Sequence, residues 1–446
     1  MSFDLVVRGG TVVSATGRDR ADVYVRDGKV AALLEPESPE SAEIVVDADG
    51  HYVLPGMVDT HVHLMEPGDS TREDFPTGTR AAVRQGVTTI VEHTHGWPLT
   101  DAGRLTEKWH HLRERSYVDF GLAAHVFPEH LHELGAMWRA GVTFFKIFTC
   151  ATHGVPAVTP EILLDVFHQL AELDAACLVH CEDDLMTARN ERRLKSEGRI
   201  DPGVIPEWRS REAELVAVGS AALLARLTGV RATVAHASSA DVVDLISRER
   251  VAGSPLVAES CPQYLYLAES EILDHGPFRK FTPPARIRSG DDEDRMWRAF
   301  NSGAISHLST DHAPSTVAQK HEGTIWECHF GLPGLDTTVP LMVDAALTGR
   351  TSLERLVEAY AQRPAEQYRL PGKGRLEVGF DADIVILDPE ASWQIRDEDI
   401  VSRAGWTPYA GREVKGRVRS VLLAGELIHD EAPPRGRYIP GPGARE

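Results

Sequence analysis

Eight short apolar runs recur through the middle of this chain, at 56–61, 87–93, 118–126, 142–148, 176–181, 231–236, 256–260 and 304–310. Amphipathic stretches of helical spacing separate them, for example 160–174, 209–228 and 238–250. Strands that alternate with helices pair in parallel, and eight of them over this length make an α/β chain with a (β/α)8 TIM barrel. A doubly wound open sheet is the alternative, but no Gly-x-Gly-x-x-Gly follows an early strand. The flanks read differently. FDLVVRG, ADVYVRDGKVAAL and EIVVDAD, all within residues 3–50, are short Val-rich and Ile-rich strands, with Asp27-Gly28 as a hairpin turn. ADIVILDP (382–389) and GRVRSVLLAGELIHD (416–430) have the same character, with Ala424-Gly425 as a turn. A separate C-terminal β domain is one reading. One small β-sandwich built from both chain ends is preferred, since each end is short of strands. The expected division is 1–52 for its first part, 53–372 for the barrel, and 373–446 for its second part and a tail. Gly372 to Gly379 is expected to be the return linker, and the tail EAPPRGRYIPGPGARE to be extended or mobile.

Of the 446 residues, 42% are hydrophobic and 26% charged, an ordinary composition for a large core. The net charge of -20, from 47 Lys+Arg against 67 Asp+Glu, disfavours nucleic acid and anionic membrane as partners. No apolar run reaches membrane-spanning length, and Met1-Ser2-Phe3-Asp4 opens no signal peptide. The cysteines Cys150, Cys177, Cys181, Cys261 and Cys328 are odd in number and form no Cys-x-x-Cys. A reducing, cytoplasmic setting is therefore expected, without a disulfide framework or a cysteine zinc site.

Barrel enzymes carry their chemistry at the C-terminal ends of strands. The first run ends in His61-Val62-His63, and residues i and i+2 of a strand face one side. The fifth ends in His180, the sixth in His236 and the eighth in Asp311. The fourth, VTFFKIF, carries Lys146 in an almost wholly apolar strand. Such a lysine either snorkels out to water or is paired, neutral or modified. Any one of these histidines alone reads as a satisfied core residue or a surface residue. Together the set gathers the nitrogen and oxygen ligands that zinc takes. A buried neutral amine also reacts with carbon dioxide, and the carbamate formed has two oxygens that can bridge two metals.

These segments, in their order, resemble the cyclic amidohydrolases of the hydantoinase, allantoinase, dihydropyrimidinase and dihydroorotase group. PGMVDTHVHLMEPG, FFKIF, VHCED, AHASS, ESCPQYL, KFTPPARIR, LSTDHAPS and the return GKGRLEVGFDADIVILDP carry the likeness over essentially the whole chain. The resemblance implies a binuclear centre, with zinc the expected metal. His61, His63 and Asp311 would hold one ion, His180 and His236 the other, and carboxylated Lys146 would bridge them. The implied reaction is hydrolysis of a cyclic amide by a hydroxide shared between the metals, since metal binding lowers the pKa of water. Asp311 would be the catalytic residue that moves the proton to the departing ring nitrogen. A homo-oligomer, dimer or tetramer, is also implied.

Substrate contacts depart from the group's patterns. Dihydroorotases carry Arg where this chain has Met65, and His93-Thr94-His95-Gly96-Trp97 replaces their Asn-bearing segment. Those histidines are either extra polar contacts or loop residues, and Trp97 could wall an apolar pocket. D-type hydantoinases and dihydropyrimidinases place an oxyanion Tyr where this chain has Ala151, with Thr149, Cys150 and Thr152 as polar neighbours. Thr282 before Pro283-Pro284 and the loop Gly331 to Gly334 match places where relatives hold the ring through backbone groups, though Pro333 has no N–H to offer. The candidate substrate-binding set is therefore Met65, His95, Cys150, Thr282, Pro284, Gly331 and Gly334. The expected substrate is a cyclic ureide or amide, hydantoinase- or allantoinase-like. Dihydropyrimidinase, dihydroorotase-like or imide hydrolysis is the alternative, and a non-catalytic scaffold on the same fold is the competing class.

Overall fold

Near-continuous apolar runs suit parallel strands covered on both faces, and all six residues of Met57–Val62 are buried. In the computed structural model, which describes residues 3–36, 38–93, 95–429 and 432–444, Met57–Val62 pairs in parallel with Val87–Glu92. That strand pairs in turn with Asp119–Leu122. After Ala123 the third run resumes as Ala124–His125 and begins a second stretch of parallel sheet. Its order is Ala124–His125, Phe145–Phe148, Ala176–His180, Arg231–Val234, Val257–Ser260 and Ile305–Leu308. The break between the stretches is narrow: Ala123 N–H reaches Glu92 O at 3.0 Å and Ala124 N–H reaches Phe144 O at 3.1 Å. The first and eighth runs also meet. Val62 bridges His312 in parallel, and the His63 N–H reaches the His312 carbonyl at 2.8 Å. Buried Asp59 ties the same seam, accepting from the Thr310 N–H at 3.1 Å and the Tyr360 hydroxyl at 2.7 Å.

Helices fill the intervals. Pro160–Glu172 starts on a proline, which suits a first turn whose N–H groups have no partner. Arg211–Thr228 is capped by the Ser210 side chain and closed by Gly229 at φ +73°. The chain ends form two further sheets. One, of N-terminal strands only, has the order Lys29–Leu34, Asp22–Arg26, Phe3–Arg8, Ala42–Asp47. The other mixes both ends: Glu426–Leu427, Glu413–Leu423, Ile384–Gln394, Tyr52–Pro55, Thr11–Ser14, Gly17–Arg20. Leu5, Val7, Val23 and Val25 from the first sheet share a buried cluster with Val53, Ile384, Ile386 and Leu422 from the second. Both sequence-read turns, Asp27-Gly28 and Ala424-Gly425, have positive φ at each residue, as a tight hairpin requires.

The tail departs from the mobile alternative. Its described part runs extended and is docked against the starts of the third and fourth parallel runs. Phe120 N–H donates to Arg437 O (2.9 Å), Ile439 N–H to Phe120 O (2.8 Å), and Gly441 N–H to Gly141 O (2.7 Å). A Cβ at Gly436 or Gly441 would stand 1.8 Å from the carbonyl oxygen of Val118 or Val142, so only glycine permits the approach. Met1, Ser2, Glu431, Arg445 and Glu446 lie outside the described residues.

Lys373, in the glycine-flanked return segment, pins the terminal sheets to the parallel strands. Its buried Nζ lies 2.7 Å from Asp119, 2.9 Å from Asp381 and 2.8 Å from Asp383. Burial disfavours its charge, but the carboxylates outweigh this and hold its pKa above the ordinary lysine value. Lys373→Met would leave those carboxylates without their shared cation. It is expected to lower the unfolding free energy by about 3–5 kcal/mol, the usual cost of breaking a buried pair. A melting temperature equal to the parent's would refute this.

Candidate metal centre and active site

His61 and His63 sit at the end of the first parallel strand, and their Nε2 atoms converge on one oxygen. Asp311 Oδ1 is 3.2 Å from His61 Nε2 and 3.3 Å from His63 Nε2. Each imidazole is oriented through its other nitrogen: His61 Nδ1 meets Glu259 Oε1 at 2.7 Å, and His63 Nδ1 donates to the His93 carbonyl at 2.6 Å. Such second contacts leave Nε2 as the free donor atom of a metal ligand. Burial, then the neighbouring Lys146, lowers His61 to about 4, so it is neutral near pH 7. Burial pushes Asp311 up, but His61 and His63 outweigh it and keep the carboxyl below its ordinary value. Asp311 is held at φ +48°, a left-handed conformation rare outside glycine.

Lys146 lies buried in the fourth strand, its Nζ 3.1 Å from His61 Nε2. It does not snorkel. Burial lowers its pKa to about 8, leaving part of the amine neutral near pH 7 and able to react as a nucleophile. Beyond it, His180 Nδ1 faces His236 Nε2 at 2.9 Å. His180 Nε2 is fixed on Glu182 Oε2 at 2.7 Å. Glu182 is in turn held by Arg209 at 3.2 Å and by the Thr282 hydroxyl at 2.7 Å. Burial raises Glu182, but Arg209 and His180 prevail and bring it to about 2. All six proposed ligands border one cavity, which leaves about 20 Å³ of free space. Nitrogen and carboxylate donors in this number fit a divalent ion of the zinc type.

The substrate-binding candidates divide. His95, Thr282 and Gly331 line the cavity, together with Phe148, His153, Ala313 and Phe330. Met65, Cys150, Pro284 and Gly334 stand behind that lining. Met65 is buried in the turn after the first strand at φ +60°. The Cys150 thiol packs 3.1 Å from Arg209. Both loop glycines spend their N–H groups internally: Gly331 donates to Lys280 O (2.9 Å) and Gly334 to His312 Nδ1 (3.0 Å). A Cβ at Gly331 would meet the Ala313 carbonyl oxygen at 2.2 Å, so the wall there requires glycine. Trp97 lies under the Arg104 guanidinium, off the cavity lining, and Thr94 is outside the described residues.

Several residues at the site were not singled out from the sequence. Glu182 follows His180 by two positions, the spacing that placed His63 with His61, and that signal was legible. Glu259 is the next-to-last residue of the strand Val257–Ser260, and His125 closes the strand Ala124–His125, so a search of the strand ends could have found both. His153 had no such signal. It reaches the site from a loop at φ +53° and stacks on His95 with ring centres 4.4 Å apart. His93, His95, His125 and His153 are all pushed well below the ordinary histidine value, by burial first and by neighbouring histidines second.

Among the described residues no helix is long and apolar enough to cross a membrane. A family model described as the amidohydrolase family matches residues 52–428. The chain is similar to an allantoinase of Salmonella choleraesuis (strain SC-B67), with 33% identity over 453 residues, 98% of this chain and 99% of that one. It also resembles the solved L-hydantoinase (dihydropyrimidinase) from Arthrobacter aurescens, with TM-score 0.94, 31% identity, and coverage of 98% of this chain and 100% of that one. The dihydropyrimidinase from Brevibacillus agri NCHU1002 aligns with TM-score 0.88 and 29% identity over 98% of this chain and 97% of that one.

Proposed function

Because this chain belongs to the amidohydrolase family, we propose that it is a metal-dependent hydrolase that opens a neutral cyclic ureide ring of the hydantoin or allantoin kind. The eight parallel runs, with their Val62–His312 seam, are read as a closed (β/α)8 barrel over 53–372. The two terminal sheets are read as a β-sandwich from 1–52 and 373–446. His61, His63 and Asp311 are assigned to one divalent ion, His180 and His236 to a second, with carboxylated Lys146 between them and zinc the preferred metal. When bound, such ions would supply a water of lowered pKa and would polarise an amide carbonyl. The chain's own residues do the rest. The Asp311 carboxylate accepts a proton from the attacking water and returns it to the ring nitrogen as the C–N bond breaks. Glu259 and the His93 carbonyl keep His61 and His63 oriented. His95, His153, Phe148 and Phe330 bound the space the ring must enter, and its small volume requires some of them to shift on binding. A homo-oligomer in a reducing cytoplasm accords with the group's habits and with five free, buried cysteines.

The observation that carries the neutral-ring reading is the charge of the lining. Among its described residues Lys146 is the sole lysine, no arginine is present, and Lys146 is assigned to the metals. Dihydroorotate would bury a carboxylate there without a cation of its own. An unpaired buried anion costs on the order of a few kcal/mol, a hundredfold or more in rate constant. A panel of allantoin, hydantoins, dihydrouracil, dihydroorotate and cyclic imides tests the proposal. The expected result is a kcat/KM for a hydantoin-like ring at least about a hundredfold above that for dihydroorotate. A higher value for dihydroorotate would overturn the pocket assignment.

A further inference from the structure

We infer that His93, His95 and His125 form an additional divalent-metal site, distinct from the two-ion centre proposed above and suited to zinc or a similar borderline ion. Three independent observations carry this. The first is position. His93 directly follows the second parallel strand, Val87–Glu92, and His125 ends the third-run strand Ala124–His125. They come from neighbouring runs and open at the same end as His61 and His63. The second is geometry. One ring nitrogen from each of the three lies within 4.8 Å of the others. Ligands of a tetrahedral zinc at 2.0–2.1 Å stand about 3.3 Å apart, a gap that small side-chain rotations close.

The third is the unsatisfied chemistry. His93 and His125 are 0% and 1% exposed. Neither ring nitrogen of His93 or of His125 has a hydrogen-bond partner, and neither does His95 Nε2. Buried polar atoms in folded proteins are nearly all partnered, so five orphaned imidazole nitrogens in one cluster mark a missing ligand. The surroundings are apolar on one side, where Phe144 meets the His93 ring at 5.8 Å and Phe148 lies parallel to His125 at 6.1 Å. Three imidazoles with an open fourth position are the donor set of a zinc ion that keeps a water or takes a substrate atom.

His93 also groups with His61 and His63, so the two sites meet at this residue. His125 belongs to the new site alone, which makes it the discriminating position.

The test is metal content and location in the full-length protein. The protein is loaded with Zn²⁺, dialysed against metal-free buffer, and measured by elemental analysis. The parent chain is expected to hold three ions, and His125→Phe and His125→Gln two. A crystal of the loaded parent should show an anomalous zinc peak bounded by His93, His95 and His125, beside the peaks at His61/His63/Asp311 and His180/His236. Cobalt-loaded parent should lose one component of its visible absorption on His125→Phe. Two ions in the parent with no third peak would overturn the inference while leaving the proposed hydrolase intact. A third ion that survives both His125 variants would overturn it equally. If the His125 variants fail to fold, the anomalous map of the parent decides alone. Ions absent from His61/His63/Asp311 would count against the proposed function instead.

Discussion

Asp311→Asn is expected to cut kcat by about a hundredfold to ten-thousandfold, the range for removing a positioned general acid–base. The substitution keeps the shape of the side chain and removes its charge and its proton affinity. Two roles of Asp311 would fail together. Its Oδ1 stands 3.2 and 3.3 Å from His61 Nε2 and His63 Nε2, so an ion held by all three loses its anionic ligand. The variant would also lose the group proposed to carry the proton from water to the leaving nitrogen. Asparagine cannot accept a proton at neutral pH, and its amide nitrogen offers no lone pair to a metal. Steady-state kinetics beside elemental analysis separates the roles. A variant that keeps its metal and loses kcat isolates the proton transfer, and one that loses both isolates ligation. Activity within tenfold of the parent would show that the proton travels by another group, and Asp311 would no longer be the catalytic residue.

Lys146→Ala is expected to lose at least a thousandfold in kcat/KM, about 4 kcal/mol of transition-state stabilisation, and most of the bound metal. Lys146 is buried, its pKa is lowered to about 8 by burial, and its Nζ lies 3.1 Å from a proposed ligand atom. An unmodified ammonium there would repel a cation, whereas a carbamate would attract two. Intact-mass or crystallographic measurement on the parent should therefore find an added carboxyl group on Lys146. Short carboxylic acids should restore part of the activity of Lys146→Ala by supplying the missing oxygens. A metal-loaded parent whose Lys146 is unmodified would exclude the bridge, whatever the kinetics of the variant.

What could be read without the fold was the side on which each group stands. The i, i+2 spacing of His61 and His63 puts both on one face of a strand, because side chains alternate along extended backbone. The repeated rhythm of strands and helices announced the parallel sheet, whereas the apolar run around Lys146 left snorkelling and burial both open until the fold buried it. His180, His236 and Asp311 were found by the same strand-end logic. These are local properties, set by periodicity and composition over a few residues.

Which groups meet across the mouth of the strands was decided only by tertiary structure. Glu259 orients His61 from 198 positions away, and Thr282 holds Glu182 across 100. No spacing rule connects such pairs, since loop closure leaves sequence separation nearly free of geometric meaning. The loop donors of Gly331 and Gly334 looked available to substrate, but Lys280 O and His312 Nδ1 already take them. The tail shows the same division. Its proline and glycine content allowed a mobile segment. In the fold, those glycines are what let its backbone press against Val118 and Val142 at distances no side chain would permit. Composition states what conformations a segment can adopt, and only the surface waiting for it selects one.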